Sequence, residues 1–397
     1  MRVKKGVFET VVVFILSPFL SLPFLFFQLK KGNDKLTVLI LSLLVGMMSY
    51  LYIPHLTNDK ATYFNRNLFF KKIDFGEFWS SLERLDFIFD LSNFFSSKLF
   101  SNFNYFFFII TSITIFSILR FVKKTLSFKL KQKYIFKSYS LILIFSIISL
   151  NALFSNTRFL LTTSVFIWVI YYLFIDKNLI KAIIYSFISI FLHFSFLVFI
   201  PLVLFVYIFP NIFKYSKIIL ILSTVFLIIP KGIDLLDLLL KIDILPSYTR
   251  YKAEIYANDD TVYSQSAYIL FYIKNLWFYF LIVFLFFRKK NIKRDFLYTI
   301  IVLFILFISL FHSNPFIFGR YSIVLSFFFV IYLIYMYNSK KSLNKVWFII
   351  FVSCIFLHLG VDLLVLRNNL IASYSFEDIF SFYSIFSKNI TPFDFLG

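Results

Sequence analysis

The chain has 397 residues, of which 60% are hydrophobic and only 15% charged, and its mean hydropathy is +0.85. Soluble domains are about half apolar and a quarter charged, so a soluble fold of this length is excluded. The formal charge of +20 does not indicate a nucleic-acid partner, because most basic residues lie in short loops between apolar runs, as membrane topology requires.

Long apolar runs recur from the first residues to the last, and each can cross a hydrocarbon core of about 30 Å. Backbone groups in lipid must be hydrogen-bonded internally, and solid apolar blocks such as 296–311 lack the alternation of barrel strands. We therefore predict one all-α integral membrane domain over residues 1–397, with about 12 spans (11 to 13). The predicted spans are 7–29, 36–53, 104–122, 138–154, 159–175, 182–195, 196–210, 217–230, 268–287, 296–312, 320–337 and 346–366.

The division of the run 182–210 is the least obvious of these boundaries. A single helix of that length would be about 44 Å long, and the run is interrupted by His193 and Pro201. Two shorter helices that meet near His193 fit better, provided that the turn between them is buried in protein.

Loop charges support this division. With the break, six connectors on one side contain 21 Lys and Arg and only three acids, and the positive-inside rule makes that side cytoplasmic. The connectors are 30–35, 123–137, 176–181, 211–217, 288–295 and 338–345. The predicted topology places both termini outside, although Arg2, Lys4 and Lys5 near the N-terminus are basic. The run 7–29 is followed by no small-residue cleavage site, so we expect a retained span.

Two long external segments, 54–103 and 231–267, are expected to cover the outer face with short amphipathic helices. The stretch 73–103 has apolar residues at helical spacing among acids, which is typical of a helix that lies on a membrane or covers a cavity.

Polar residues at membrane depth or at the mouth of a span are the informative ones in such a chain. Four of them fall on the predicted external side. Asp59 is either a general base or a helix cap. Arg158 follows a four-residue turn without an acid and is a candidate anion site. His193 lies at the predicted break, and Arg320 opens a late span.

Other polar positions give weaker signals. Lys274 lies inside a span, and Arg250 lies in an external segment where a polar substrate could meet it. His358 and Asp362 are one helical turn apart without a third ligand, so no metal site is predicted. Nucleotide-binding and zinc-protease motifs do not occur in the sequence.

In order and spacing, these residues resemble the EpsG/Wzy-type polysaccharide polymerases, over about residues 40 to 340. That family shows an Asp-x-x-x-Tyr after an early span, an Arg that opens a mid-chain span, a His-x-Ser break before a Pro, and a late Arg-Tyr that enters a span. The matching positions here are Asp59 and Tyr63, Arg158, His193 to Pro201, and Arg320 with Tyr321.

The resemblance implies an enzyme of the bacterial cytoplasmic (inner) membrane that joins undecaprenyl-diphosphate-linked glycan repeats without a cofactor. Catalytic roles would fall to Arg158, Arg320, Asp59 and His193, and substrate contacts to Tyr63, Arg250 and Tyr321. Partners would be the lipid-linked donor and acceptor, membrane lipids, a chain-length regulator and a flippase. A lipid-linked glycan ligase, a non-enzymatic flippase and an acyltransferase stay open as alternatives.

Overall fold

A computed structural model describes residues 6–54, 56, 58–82, 86–229, 265–288, 295–339, 344–371, 386 and 391. Over these residues the chain is helical and falls into two compact units. The first unit contains residues 1–142, 150–196 and 362–397, and the second contains 143–149 and 197–361.

The first unit is built from a series of helices of very different lengths. The helices are α1 (Val7–Leu16), α2 (Ser21–Lys30), α3 (Asp34–Leu51), α4 (Asp59–Phe70), α5 (Phe75–Ser80), α6 (Ile88–Leu99), α7 (Asn104–Leu130), the start of α8 (Ser138–Ile147), α9 (Leu150–Ser155), α10 (Thr157–Phe174) and α11 (Leu179–Leu192).

Helices α1 and α2 form a hairpin instead of the single span predicted over 7–29. The helix stops at Ser17, and the chain turns before Ser21. The amide of Gln28 near the end of α2 donates to Gly6 O (2.5 Å) and to Thr10 Oγ1 (3.0 Å) at the start of α1, so the two helices are antiparallel. Each has 10 residues and is about 15 Å long, half the thickness of a hydrocarbon core. The prediction of a continuous first span is therefore wrong.

Helices α3 and α7 pack closely side by side in the first unit. Gly46 permits this approach, because a Cβ at that position would lie 2.8 Å from the carbonyl oxygen of Phe108 on α7 and would collide with Ser112 Oγ. At the other end of α3, Asp34 forms an ion pair with Lys123. Both residues belong to connectors assigned to the cytoplasmic side, so the contact agrees with the predicted topology.

The segment 54–103, which we predicted to be external, contains helices α4, α5 and α6, and short helices were predicted there. The apolar residues predicted to form one helix face are divided between α5 and α6, because α5 ends at Ser80 and α6 begins at Ile88. Phe78 and Phe89 are fully buried, while Phe75 and Trp79 are more than half exposed. A capping box between Asp74 and Glu77 fixes the start of α5.

The run 182–210 is broken at His193, as predicted. Helix α11 ends at Leu192, and His193 has an extended backbone (φ −157°, ψ 109°). A 3₁₀ turn, Phe194–Val198, leads into α12 (Phe199–Ile208). In the first unit α11 ends beside the turn at Asn156, because the ring of His193 packs on Phe159 at 5.6 Å.

The second unit contains α12 and the later helices. These are α13 (Ser216–Ile228), α14 (Gln265–Lys274), α15 (Leu276–Phe287), α16 (Phe296–Ser309), α17 (Pro315–Asn338) and most of α18 (Lys345–Ile371), together with the end of α8. Helix α16 packs between α13 and α17. Helices α14 and α15 meet at a bend of 44° at Asn275. The side-chain amide of Asn275 donates a hydrogen bond to Phe271 O (2.9 Å) and satisfies part of the backbone that the bend frees.

Among the described residues, six helices are long and apolar enough to cross a membrane, or up to seven if the bent pair α14–α15 is counted as one span. Shorter apolar helices account for the other predicted spans. Among them the predicted span 138–154 is interrupted between Ile147 and Leu150. The all-helical membrane fold is thus confirmed, while the count of about twelve spans and the single domain stay predictions.

Candidate functional site

Arg158 is the second residue of α10, and its guanidinium faces an acid from the external segment. Arg158 Nη1 lies 3.2 Å from Asp86 Oδ2, and both side chains are largely buried. The same carboxylate oxygen accepts a hydrogen bond from the backbone N–H of Phe194 (3.4 Å). Asp86 therefore connects the external segment, the start of α10 and the turn after His193.

The expectation that Arg158 is without an acidic partner is wrong. Its turn contains no acid, but Asp86 reaches it from 72 positions earlier in the chain. The pair is a charge contact and not a directed hydrogen bond, because Arg158 Nε and Nη1 have no hydrogen-bond acceptor among the described residues. A buried guanidinium with unused donors can still bind an anion with several oxygens.

Asp59 and Tyr63 lie four residues apart on α4, and so on one face of that helix. Asp59 is the first residue of the helix, and Asn58 holds the capping position. Both Asp59 and Tyr63 are within electrostatic range of Arg158. Tyr63 is buried against Phe89, with ring centres 4.5 Å apart. Burial raises the pKa of the Tyr63 phenol, so it is neutral at physiological pH.

A second Arg–Asp pair lies next to the first. Arg66 Nη1 donates to both carboxylate oxygens of Asp90 (2.9 and 3.0 Å), and its guanidinium lies 5.9 Å from the centre of the Tyr63 ring. Asn93 on α6 donates to Tyr63 O (3.1 Å). Three acids, Asp59, Asp86 and Asp90, thus lie near the two arginines Arg158 and Arg66.

Lys60, next to Asp59, is a buried lysine that fixes the start of α4. Its ammonium donates to Ser49 O (2.7 Å) and Tyr52 O (2.8 Å), the free carbonyls at the C-terminal end of α3. A cation there is stabilised by the helix dipole. Burial lowers the pKa of the Lys60 ammonium. These contacts fix the position of Asp59 relative to α3.

The contacts of His193 restrict its protonation. Its Nδ1 lies 2.9 Å from Ser195 Oγ and accepts a weak hydrogen bond from the backbone N–H of Ser195 (3.4 Å). A backbone N–H can only donate, so Nδ1 has its lone pair there and the neutral ring has its proton on Nε2. In this arrangement Nε2 is the hydrogen-bond donor of the ring.

The remaining predicted residues belong to the second unit or lie outside the described part of the chain. Arg320, on the second turn of α17, stacks over the Phe316 ring at 4.0 Å. Tyr321 packs among aromatic rings, with centres 5.0 Å from Phe199 and 5.3 Å from Phe311. Arg250 falls outside the described residues. Roles for these three residues stay predictions.

The structure thus brings Asp59, Tyr63, Arg158 and His193 together in the first unit. Asp86, Asp90 and Arg66 complete the group, and sequence reasoning missed all three. The only sequence signal was the density of acids in 54–103, which by itself did not indicate which acid meets which arginine.

Comparison with known families gives a match over most of the chain. The sequence model of the EpsG family matches residues 58–376, a range that begins just before Asp59 and covers all of the second unit and much of the first. No curated protein and no solved structure matches the chain.

Proposed function

Because the chain belongs to the EpsG family, we propose that this multi-pass membrane protein is a polysaccharide polymerase. Family membership supports a polymerase-like role. The finer proposal is glycosyl transfer between oligosaccharide repeats linked to undecaprenyl diphosphate, at the outer face of the bacterial cytoplasmic membrane. The observation that supports this site best is the buried Arg158, with unused donors, at the start of a membrane-spanning helix.

A lipid-linked donor has its tail in the bilayer and its diphosphate at the interface. Arg158 suits that position, because it lies at the N-terminus of α10, where the helix dipole also favours an anion. When the bond between the donor's anomeric carbon and the diphosphate oxygen breaks, the diphosphate leaves with the electron pair. A guanidinium at the leaving oxygens stabilises this developing charge.

The acceptor hydroxyl needs a base, and the contacts favour Asp59 over His193. In His193 the lone pair on Nδ1 is already engaged by Ser195. Within the part of the chain that the structure describes, the Asp59 carboxylate makes no hydrogen bond or ion pair, and Asp59 is partly exposed. Asp59 takes the proton from the acceptor hydroxyl, whose oxygen then attacks the anomeric carbon as the diphosphate departs. His193 donates a hydrogen bond to the substrate through Nε2.

Arg320 is the second proposed cation for the diphosphate, and this role rests on the Arg-Tyr motif that resembles the family pattern. Arg250 and Tyr321 are the proposed substrate contacts. The sequence predicted a substrate contact for Tyr63 too, but Tyr63 is buried, so its part in this proposal is to support Asp59 and Arg158, with which it interacts electrostatically.

The test is chain length in a deletion strain that expresses each variant at matched levels. We expect Arg158→Ala and Arg320→Ala to abolish long glycan chains while single repeats are still attached at the surface. Removing a cation that stabilises transition-state charge costs about 100-fold or more in rate. Arg120→Ala is the control. Arg120 is an exposed arginine of α7 that lies over the Trp168 ring. It directly precedes the basic connector 123–137, which is predicted to lie on the side of the membrane opposite the site.

Normal chain lengths in both variants would refute the site assignment. If single repeats accumulate inside the cell when the gene is deleted, the protein transports repeats and does not polymerise them.

A further inference from the structure

Asp86 occupies an unusual position for a residue next to a proposed anion site. Asp86 is buried (5% exposed), and its carboxylate faces Arg158 at 3.2 Å and also accepts a hydrogen bond from the backbone N–H of Phe194. An acid so close to the guanidinium opposes the binding of any other anion there. A purely structural counterion would make directed hydrogen bonds to the guanidinium, yet Arg158 Nε and Nη1 have no acceptor among the described residues.

We propose that Asp86 is a positioning residue that holds Arg158 and the turn after His193 in place, and that a phosphate oxygen of the substrate displaces it from Arg158. This inference rests on the proposed function, since it assumes that a diphosphate binds at Arg158. Asp86 Oδ2 makes two separate contacts, one with Arg158 Nη1 (3.2 Å) and one with the backbone N–H of Phe194 (3.4 Å). Loss of the contact with Arg158 therefore leaves the hydrogen bond from Phe194 in place. Exchange of one anion for another leaves the buried guanidinium paired throughout.

The neighbouring pair behaves differently. Asp90 makes two short contacts with Arg66, at 2.9 and 3.0 Å, and satisfies it directly. Asp90 also affects Arg158, but less strongly than Asp86 does. Asp90 therefore provides a matched control, being an acid of the same segment with the same charge, paired to a different arginine.

The experiment measures the affinity of the purified full-length protein for farnesyl diphosphate, a soluble probe with a diphosphate on a short prenyl chain. Binding is followed by microscale thermophoresis in one detergent at fixed salt. We expect Asp86→Asn to bind the probe about tenfold more tightly than the wild type, because a competing charge is removed while an acceptor for Phe194 is retained. Asp86→Glu keeps the charge and should stay within about threefold of the wild type. Asp90→Asn should gain less than Asp86→Asn.

The sign of the change separates this role from a structural one, since damage to the fold weakens binding. Should Asp86→Asn fail to fold, Asp86→Ser is a second neutral variant that keeps an acceptor for Phe194. Unchanged or weaker binding in a folded neutral variant would overturn the proposal. Arg158→Gln serves to test the premise separately. If that variant binds the probe as tightly as the wild type, the proposed function of Arg158 fails, whatever the result for Asp86.

Discussion

Replacement of Gly46 by alanine tests whether the close packing of α3 on α7 supports the site. An added Cβ would lie 2.8 Å from Phe108 O, whereas ordinary contacts begin at 3.4 Å. Ser112 can rotate away, but the carbonyl belongs to the backbone of α7, so the helices must separate by about 0.6 Å. Overpacking of this kind costs about 1–3 kcal/mol. The better helix propensity of alanine returns about 1 kcal/mol, so we expect a net loss of about 1 kcal/mol.

Gly360→Ala is the matched control, because a Cβ at Gly360 in α18 would meet no atom within 4 Å. Only the Gly46→Ala variant should therefore lose stability. Thermal unfolding of the purified protein, followed by tryptophan fluorescence, should show a Tm about 2–4 °C lower for Gly46→Ala. The Tm of Gly360→Ala should be unchanged or slightly higher. A Gly46→Ala protein as stable as Gly360→Ala would refute the argument from close packing.

The same substitution should also reduce glycan chain length. Helix α3 ends at the carbonyls that hold Lys60, and Lys60 adjoins Asp59. A displacement of α3 therefore reaches the proposed base, where an error of about 1 Å can cost 100-fold in rate. Shortened chains in Gly46→Ala, with normal chains in Gly360→Ala, would agree with this connection.

Two further predictions concern topology and the base. The labelling experiment starts from the variant Cys354→Ser, which removes the single cysteine. Cysteines introduced at Glu9 and at Lys31 should then both react with a membrane-impermeant thiol reagent only from the cytoplasmic side. The reason is that the α1–α2 hairpin returns the chain to the side of the membrane where it began. Labelling of the two positions from opposite sides would show that α1 and α2 together span the membrane. Asp59→Asn should reduce the rate of chain extension by about 100-fold or more, as expected for loss of a general base. His193→Gln retains a hydrogen-bond donor and should lose much less, and the reverse order would identify His193 as the base.

The hairpin also explains the basic residues that conflicted with the predicted topology. A continuous span over 7–29 places Arg2, Lys4 and Lys5 outside, against the positive-inside rule. Since the start of α1 lies beside the end of α2, we predict that both lie on the side of Lys30 and Lys31. Eleven of the predicted spans then remain, which is within the predicted range of 11 to 13, and the count stays a prediction.

The break at His193 was predictable from the sequence for a reason that does not depend on packing. The hydrocarbon core has a fixed thickness, so an apolar run of 29 residues is too long for one upright helix. The turn before Ser21 was not predictable in this way, because the run 7–29 has the length of an ordinary span. Only the contacts of Gln28 with Gly6 and Thr10 show that this run folds back.

The sequence by itself determined that the chain is an all-helical membrane protein, and it predicted that Asp59, Arg158, His193 and Arg320 lie on one external face. Composition and run length suffice for the first conclusion, because the bilayer imposes the same limits on every segment. The tertiary structure decided which acid meets which arginine. Asp86 and Arg158 are 72 positions apart, and no local pattern relates them. Their pairing depends on how α6, α10 and the turn after His193 pack together, which changed Arg158 from a cation without a partner into one already held by an acid.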